Sequence, residues 1–424
     1  MEDIESKTVN QLKQYCREKH IKGFSQKRKQ ELIDFINDYH KQENINGGEE
    51  EDVGVEDVGV EEDVKEDKIT DENKKLNAIS LFSGMGGDSL GIVNSGFNLI
   101  AYSEKEKVFQ ETHDLNFKNS KLLGDGDITK TKDEDLLKYK DNVNLIFAGF
   151  PCQGFSNGGK KMKNDPRNTL FKEFVRATKL INPKYIIGEN VKGLLSRKTS
   201  DNENYIDVIV KEFEDLGFVV YYKVMKTYLY GIPQKRERLI IVGIKKELNK
   251  PFEFPEEIST DVNLKNIVKF DMKGSIKIEK DDFDMTTIPE ECILKDMNNE
   301  EDENTPHPNL KLLAKDKDYV YNEKTYPRRL SFAKRDSSIH GEIIDIRYPA
   351  KTIICTYARQ PRLFVPLQNK KGYYLRCFLP DELKQIQGFP ADYKIMGNDT
   401  NKIIQIGNAV PPPLIEQIIY SIIN

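Results

Sequence analysis

Asn77-Ala-Ile-Ser-Leu-Phe-Ser-Gly-Met-Gly-Gly-Asp88 is a short apolar run that breaks into a glycine-rich turn and then opens a helix. Bare backbone in such a turn lets a ligand approach closely, and a helix N-terminus favours negative charge. Further short apolar segments follow at Leu99 to Tyr102, Leu145 to Ala148, Tyr185 to Ile187, Val219 to Lys223 and Leu239 to Gly243, with amphipathic helical stretches between them. This alternation predicts an α/β fold, a doubly wound and mostly parallel sheet with helices on both faces. Ligands of such sheets gather outside the carboxyl ends of the strands, so the residues that end these runs are where chemistry is sought.

Upstream of Asn77 the composition changes. Residues 42–75 are acidic, poor in large apolar residues and carry the tandem repeat Glu51-Asp-Val-Gly-Val55, Glu56-Asp-Val-Gly-Val60, which reads as a disordered linker, with a docking site for a basic partner as the alternative. Residues 49–75 hold 13 acidic side chains against 4 lysines, so the formal net charge of −5 conceals a remainder of +4, mild enough to permit phosphate contacts. Before the linker, Thr8 to Tyr15 and Lys27 to Tyr39 carry apolar residues at helical spacing, predicting two short helices within residues 1–41. The N-terminus has no apolar run behind a basic start, and no apolar run approaches the length of a membrane span, so an intracellular chain with no membrane contact is expected, cytoplasmic or nucleoid-associated in a prokaryote. Five scattered cysteines and five isolated histidines predict free thiols and no metal.

Three run-ends carry candidate chemistry. The second strand closes on Ser103-Glu104, a carboxylate positioned for ribose hydroxyls about twenty residues after the glycine turn, and Phe-x-Gly-x-Gly-Gly favours S-adenosylmethionine over a dinucleotide. The third run leads into Ala148-Gly-Phe-Pro-Cys-Gln-Gly-Phe-Ser156. An isolated cysteine is ordinarily a buried small hydrophobe, but a thiol between Pro and Gly in a loop at a strand's carboxyl end serves little packing purpose. The next run ends in Glu189-Asn190-Val191, which sets a carboxylate at the same edge as that thiol.

Phe82-Ser-Gly-Met-Gly-Gly87, Gly149-Phe-Pro-Cys-Gln153, Glu189-Asn-Val191, Gln234-Lys-Arg-Glu-Arg238 and Gly407-Asn-Ala-Val-Pro411 stand in the order of the motifs of cytosine-C5 DNA methyltransferases, and the chain resembles that family from about Leu76 to its C-terminus. The resemblance implies that Cys152 attacks C6 of a flipped-out cytosine, Glu189 contacts N3 and the exocyclic amine, and Arg236 and Arg238 hold the site around the base. For S-adenosylmethionine it implies Phe82 against the adenine, Gly84, Gly86 and Gly87 in the turn, Glu104 on the ribose, Asp127 near the adenine amine, Pro151 beside the site, and Asn408 bracing the loop that carries Pro151. Many members have an aromatic residue after the ribose carboxylate; Lys105 stands there in this chain.

The resemblance divides the chain into a catalytic domain at 76–250 completed by 401–424, a target-recognition domain at 251–375 and a hinge at 376–400. Ser6 to Asp34 resembles a SAP module, whose Lys22, Lys27, Arg28 and Lys29 suit phosphate, although a plain interaction module fits as well. Double-stranded DNA is the implied partner, with Gln153, Ser156, Arg328, Arg329 and Arg335 as contacts; Arg347, Lys351, Arg359 and Arg362 add basic charge to the same region. A monomer is expected, with room for a cognate restriction endonuclease in the same system. An RNA-directed relative, a catalytically silent relative and a nicotinamide-dependent dehydrogenase are the rival readings. The long insertion before the final motif opposes the first, the intact Pro151-Cys152 and Glu189-Asn-Val191 the second, and Pro151-Cys152 alone the third.

Overall fold

The structure, a computed structural model, describes residues 12, 15, 30, 32–37, 76–151, 170–199, 202–258, 261–278, 290–302, 310–311, 319–321, 324–326, 331–332, 342–359 and 361–424. The chain divides into two compact units, Met1–Thr70 and Asp71–Asn424. In the first, Leu12, Leu32, Ile33 and Ile36 form a small buried cluster with Tyr15 and Phe35 packed against it. These residues are helical, as their spacing predicts. The expected linker at 42–75 and the basic residues Lys22, Lys27, Arg28 and Lys29 lie outside the described residues.

The second unit is built on a seven-stranded sheet. Its strands are β1 (Asn77–Leu81), β2 (Asn98–Ser103), β3 (Lys121–Leu122), β4 (Leu145–Ala148), β5 (Tyr185–Val191), β6 (Phe218–Lys226) and, after the two-residue β7 (Gln234–Lys235), β8 (Glu237–Lys245). The order across the sheet is β3-β2-β1-β4-β5-β8-β6. All pairs are parallel except those of β8, which runs antiparallel to both β5 and β6. Apolarity alone does not reveal this reversal, because β8 is buried like a parallel strand; the short turn through β7 reverses the chain and slots β8 between its neighbours.

Burial on both faces explains why the strands read as continuous apolar runs. Ala78, Phe147, Ile187 and Ile240 enter one core, while Ile79, Ile146, Ile186 and Ile241, one residue away on each strand, enter the other. The first core is closed by α1 (Gly87–Asn94) and by the C-terminal helices α7 (Asp399–Asn408) and α8 (Pro412–Ile423). The second core is closed by α4 (Phe171–Ile181) and α5 (Tyr205–Asp215), which follow α2 (Lys107–Asn116) and α3 (Asp133–Leu137). Pro412 occupies the first turn of α8, where the fixed φ of proline is favourable and its missing N–H has no partner to lose.

The region from Pro251 onward, expected as a target-recognition domain, contains its own sheet. β9 (Ile276–Ile278), β10 (Leu294–Asp296), β15 (Glu342–Ile343), β17 (Leu363–Asn369) and β18 (Gly372–Cys377) assemble around a β17–β18 hairpin, over a small core of Ile276, Ile278, Ile293, Phe364 and Leu375. Between β10 and β15 lie two short ribbons, β11 (Leu310–Lys311) with β14 (Ser331–Phe332) and β12 (Tyr319–Tyr321) with β13 (Lys324–Tyr326). These strands of two or three residues are too short to show a period. β16 (Ala350–Lys351) leaves this region to pair with β7, and α6 (Pro380–Ile386) leads back toward α7.

Candidate active site

Strand register assembles the site. Leu81 pairs with Ser103 on one side and Ala148 on the other, and Ala148 pairs with Gly188. The next residue on each strand therefore falls in one row: Glu104, Phe82, Gly149 and Glu189. The chain winds outward from β1 to β3 and then returns to β4 beside β1, so the row lies at the point where the winding of the sheet reverses, the place where such sheets open a crevice.

On the β1–β2 side, Phe82, Gly84 and Gly86 all have positive φ, at 57°, 57° and 91°. The turn is held from beneath: the Ser83 amide donates to Ser103 O at 2.9 Å and the Gly84 amide to Glu104 Oε2 at 2.9 Å, while Glu104 Oε1 accepts from the Glu106 amide at 2.8 Å. Each Glu104 oxygen thus keeps acceptor capacity, the requirement for gripping a vicinal diol. Burial raises the Glu104 pKa, opposed by these amides. A Cβ built at Gly84 would meet no atom within 4 Å, so open space faces the turn. Gly126 allows close packing, since a Cβ there would lie 2.1 Å from Glu104 O. Asp127 begins a short 3-10 turn, with Oδ1 accepting from the Thr129 amide at 3.1 Å and its hydroxyl at 2.7 Å. Open glycine backbone, a two-oxygen carboxylate and the partly buried Phe82 fit the ribose and adenine of S-adenosylmethionine.

A polar cluster that the sequence reading did not single out lies beneath the turn. Asp88 is 2% exposed and accepts from Ser80 Oγ, which also contacts Ser83 Oγ at 2.5 Å. Ser89 Oγ lies 3.0 Å from His113 Nε2, and the His113 ring stacks on Tyr102. Burial pushes Asp88 up to about 7 from 3.8, against the hydrogen bond from Ser80, and pushes His113 down to about 3. Because the folded Asp88 pKa exceeds the unfolded value, its contribution to stability is fully present below about 3.8 and is lost as pH rises through about 7. Thermal unfolding of Asp88→Asn beside the parent should show the parent losing stability relative to the variant between these limits and no further divergence above pH 8. A pH-independent gap would contradict a buried, proton-holding Asp88.

On the β4–β5 side, Glu189 is 9% exposed, and Arg238 Nε lies 2.6 Å from its Oε1 in a largely buried ion pair. Burial lowers the Arg238 pKa and Glu189 opposes that shift. A Cβ on Gly149 would lie 3.8 Å from Phe82 O and 4.0 Å from Glu189 Oε2, so this glycine separates the glycine-rich turn from the carboxylate. Phe150 is buried against Phe174, and Asn190 Nδ2 donates to Phe150 O at 3.1 Å, fixing the loop that presents Pro151. The brace expected from Asn408 is therefore supplied by Asn190, while the Asn408 side chain is exposed at the end of α7. Arg236 is fully buried, close enough to Glu189 and Arg238 to feel their charges, and its guanidinium bonds the carbonyls of Ile353, Gly407 and Ala409.

Cys152, Gln153 and Ser156 lie outside the described residues, as do Arg328, Arg329 and Arg335. Of the other basic residues in that region, Arg347 pairs with Asp345 at 2.8 Å and Glu291 at 3.3 Å, and Lys351 pairs with Glu342. Arg359 is exposed and Arg362 half-buried.

Residues 76–424 match the family model described as C-5 cytosine-specific DNA methylase. The chain belongs to this family. The Type II methyltransferase M.FnuDI of Fusobacterium nucleatum is 32% identical over 344 residues, covering 80% of this chain and 92% of that one. M.BsuFI of Bacillus subtilis, also a Type II methyltransferase, is 31% identical over 349 residues, 81% of this chain and 71% of its own. A solved structure of a DNMT2 mutant from Spodoptera frugiperda shares the fold, with a TM-score of 0.56, 18% identity and coverage of 82% of this chain and all of that one. As a DNA cytosine-5-methyltransferase, this family member acts on DNA and takes its methyl group from S-adenosylmethionine. Residues 3–45 match the Rho termination factor, N-terminal domain, in place of the SAP module expected there. Among the described residues no helix is long and apolar enough to cross a membrane.

Proposed function

We propose that the methylase works by covalent catalysis through Cys152, on a cytosine turned out of the duplex. C5 of cytosine is a poor nucleophile. Addition of the Cys152 thiolate to C6 pushes electron density through the ring, making C5 carbanion-like and N3 more basic. Glu189, held by Arg238, shares a proton with N3 and accepts from the exocyclic amine, which stabilises the charge as it develops. Bound S-adenosylmethionine supplies an electrophilic methyl group. Phe82, the Gly84 to Gly87 turn, Glu104 and Asp127 hold and orient it, with Pro151 closing the side toward the base. After C5 has taken the methyl group, a base acting through water removes the C5 proton, the C6–S bond breaks and Cys152 leaves as thiolate.

The observation that carries this reading is the register row, in which Glu189 stands one glycine away from the cofactor turn while Gly149-Phe150-Pro151, anchored by Asn190, leads directly into Cys152. Extruding the base costs a few kcal/mol, which interactions made by residues 251–375 offset; sequence choice is assigned to this region, with Arg328, Arg329 and Arg335 as its basic contacts and 376–400 as the hinge. The likeness to Type II methyltransferases supports a place in a restriction–modification system, and we propose a monomeric intracellular enzyme with a cognate endonuclease as its partner in that system. Bisulfite sequencing of DNA from cells expressing the full chain should show protected cytosines within one short sequence. Uniformly converted DNA, with the protein present and folded, would contradict the assignment.

The N-terminal module is assigned to DNA binding outside the target site. Removal of residues 1–75 should leave the methylated sequence unchanged, because every catalytic motif lies beyond Leu76. DNA affinity should fall and its salt dependence become shallower, by roughly one unit of slope for each phosphate that the module neutralises. An unchanged slope in a titration from low to moderate salt would favour a protein-interaction module instead.

A further inference from the structure

Arg236, Gln234 and Gln387 form a buried polar knot that ties together segments far apart in sequence. Arg236 Nη1 donates to Ile353 O at 3.0 Å and Gly407 O at 3.2 Å, and Nη2 donates to Ala409 O at 3.1 Å. Gln234 Oε1 accepts from the Ile353 amide at 3.0 Å, the side-chain amide of Gln234 donates to that of Gln387, and Gln387 donates in turn to Ala409 O. All three side chains are buried. Ala409 O therefore receives two donors from segments far apart in sequence.

The knot fixes the segment between α7 and α8. On one side a Cβ at Gly407 would lie 2.4 Å from the Cys355 amide nitrogen, so this backbone is pressed against the stretch that leads out of the smaller sheet. On the other side Val410 O would be 2.1 Å from a Cβ at Gly87, so the same segment also presses on the last glycine of the cofactor turn. Backbone packed closely on both sides transmits displacement, because packed interiors do not absorb it.

We propose that Arg236, Gln234 and Gln387 are positioning residues for S-adenosylmethionine: they hold residues 407–410 against Gly87 and so set the shape of the turn that receives the cofactor. The inference rests on the assignment of that turn as the cofactor site. A planar guanidinium spans three carbonyls that a lysine ammonium, a compact charge on a flexible stem, does not reach together. Arg236 thus acts on the reaction through the C-terminal segment, whereas Arg238, two residues on, acts through Glu189.

Calorimetric titration of the full-length protein with S-adenosylmethionine, alongside thermal unfolding, tests this. Arg236→Lys should remain folded and bind about tenfold more weakly, the scale of one missing hydrogen bond to a charged group, while affinity for bulk duplex DNA stays at the parental value. Gln387→Leu, which frees Ala409 O from the other donor, should weaken cofactor binding in the same direction and decides the matter if Arg236→Lys fails to fold. Glu104→Ala serves as the control for the site and should lose cofactor affinity outright. Folded knot variants with parental cofactor affinity would overturn the proposal while leaving the site reading intact. A Glu104→Ala protein with parental affinity would overturn both.

Discussion

Cys152→Ala is expected to reduce methyl transfer by roughly 10⁴-fold or more while cofactor and DNA binding stay close to parental values, since loss of a covalent nucleophile removes a step and not a docking interaction. The separation follows from the architecture. The glycine turn proposed to receive the cofactor is built on β1 and β2 and supported by Ser103, Glu104 and the C-terminal segment, none of which requires the thiol. The loop before Cys152 is anchored independently, by burial of Phe150 and the Asn190 hydrogen bond. Single-turnover methyl transfer measured with radiolabelled cofactor, together with gel-shift and calorimetric binding, separates the two effects. A variant that turns over normally would eliminate the covalent mechanism, and one that fails to bind the cofactor would mean that Cys152 supports the turn.

A duplex with 5-fluorocytosine at the target position should trap the enzyme almost completely on the DNA. The thiolate adds to C6 and C5 takes the methyl group, but the last step requires loss of a proton from C5 and fluorine stands in its place. The C6–S bond then cannot be released by elimination, and the protein should migrate with the DNA through denaturing electrophoresis. Capture should need S-adenosylmethionine and should disappear in Cys152→Ala. Glu189→Gln should slow it, because charge stabilisation by the carboxyl precedes methyl transfer. Methylation of an exocyclic nitrogen forms no such adduct, so a confirmed target site that yields no retarded band would exclude C5 chemistry.

The two arginines of Gln234-Lys-Arg-Glu-Arg238 show where local sequence stops being informative. Both are charged, both stand two residues apart in one motif, and nothing nearby distinguishes them. Arg238 lies in β8 beside β5, within reach of Glu189, whereas Arg236 precedes the strand and meets carbonyls more than a hundred residues away in sequence. The same limit explains Asn190 and Asn408. Each is an asparagine within a motif, and only packing shows which one reaches Phe150 O.

By itself the sequence determined the six principal strands, their burial on both faces, the glycine turn, the carboxylates at the strand ends and the order of the motifs. These are local properties: a strand buried on both faces must be apolar at every residue, and positive φ at a tight turn favours glycine. Tertiary structure alone decided the reversed placement of β8, the buried Asp88 cluster, the ribbons β11–β14 and β12–β13 made of strands too short to carry a period, and the knot that joins Arg236 to the C-terminal segment. Each of these depends on which distant segments meet. Partners brought together across long stretches of chain, and the balance of desolvation against hydrogen bonding that keeps a buried arginine or aspartate in place, are set by the assembled core and leave no periodic trace in the chain.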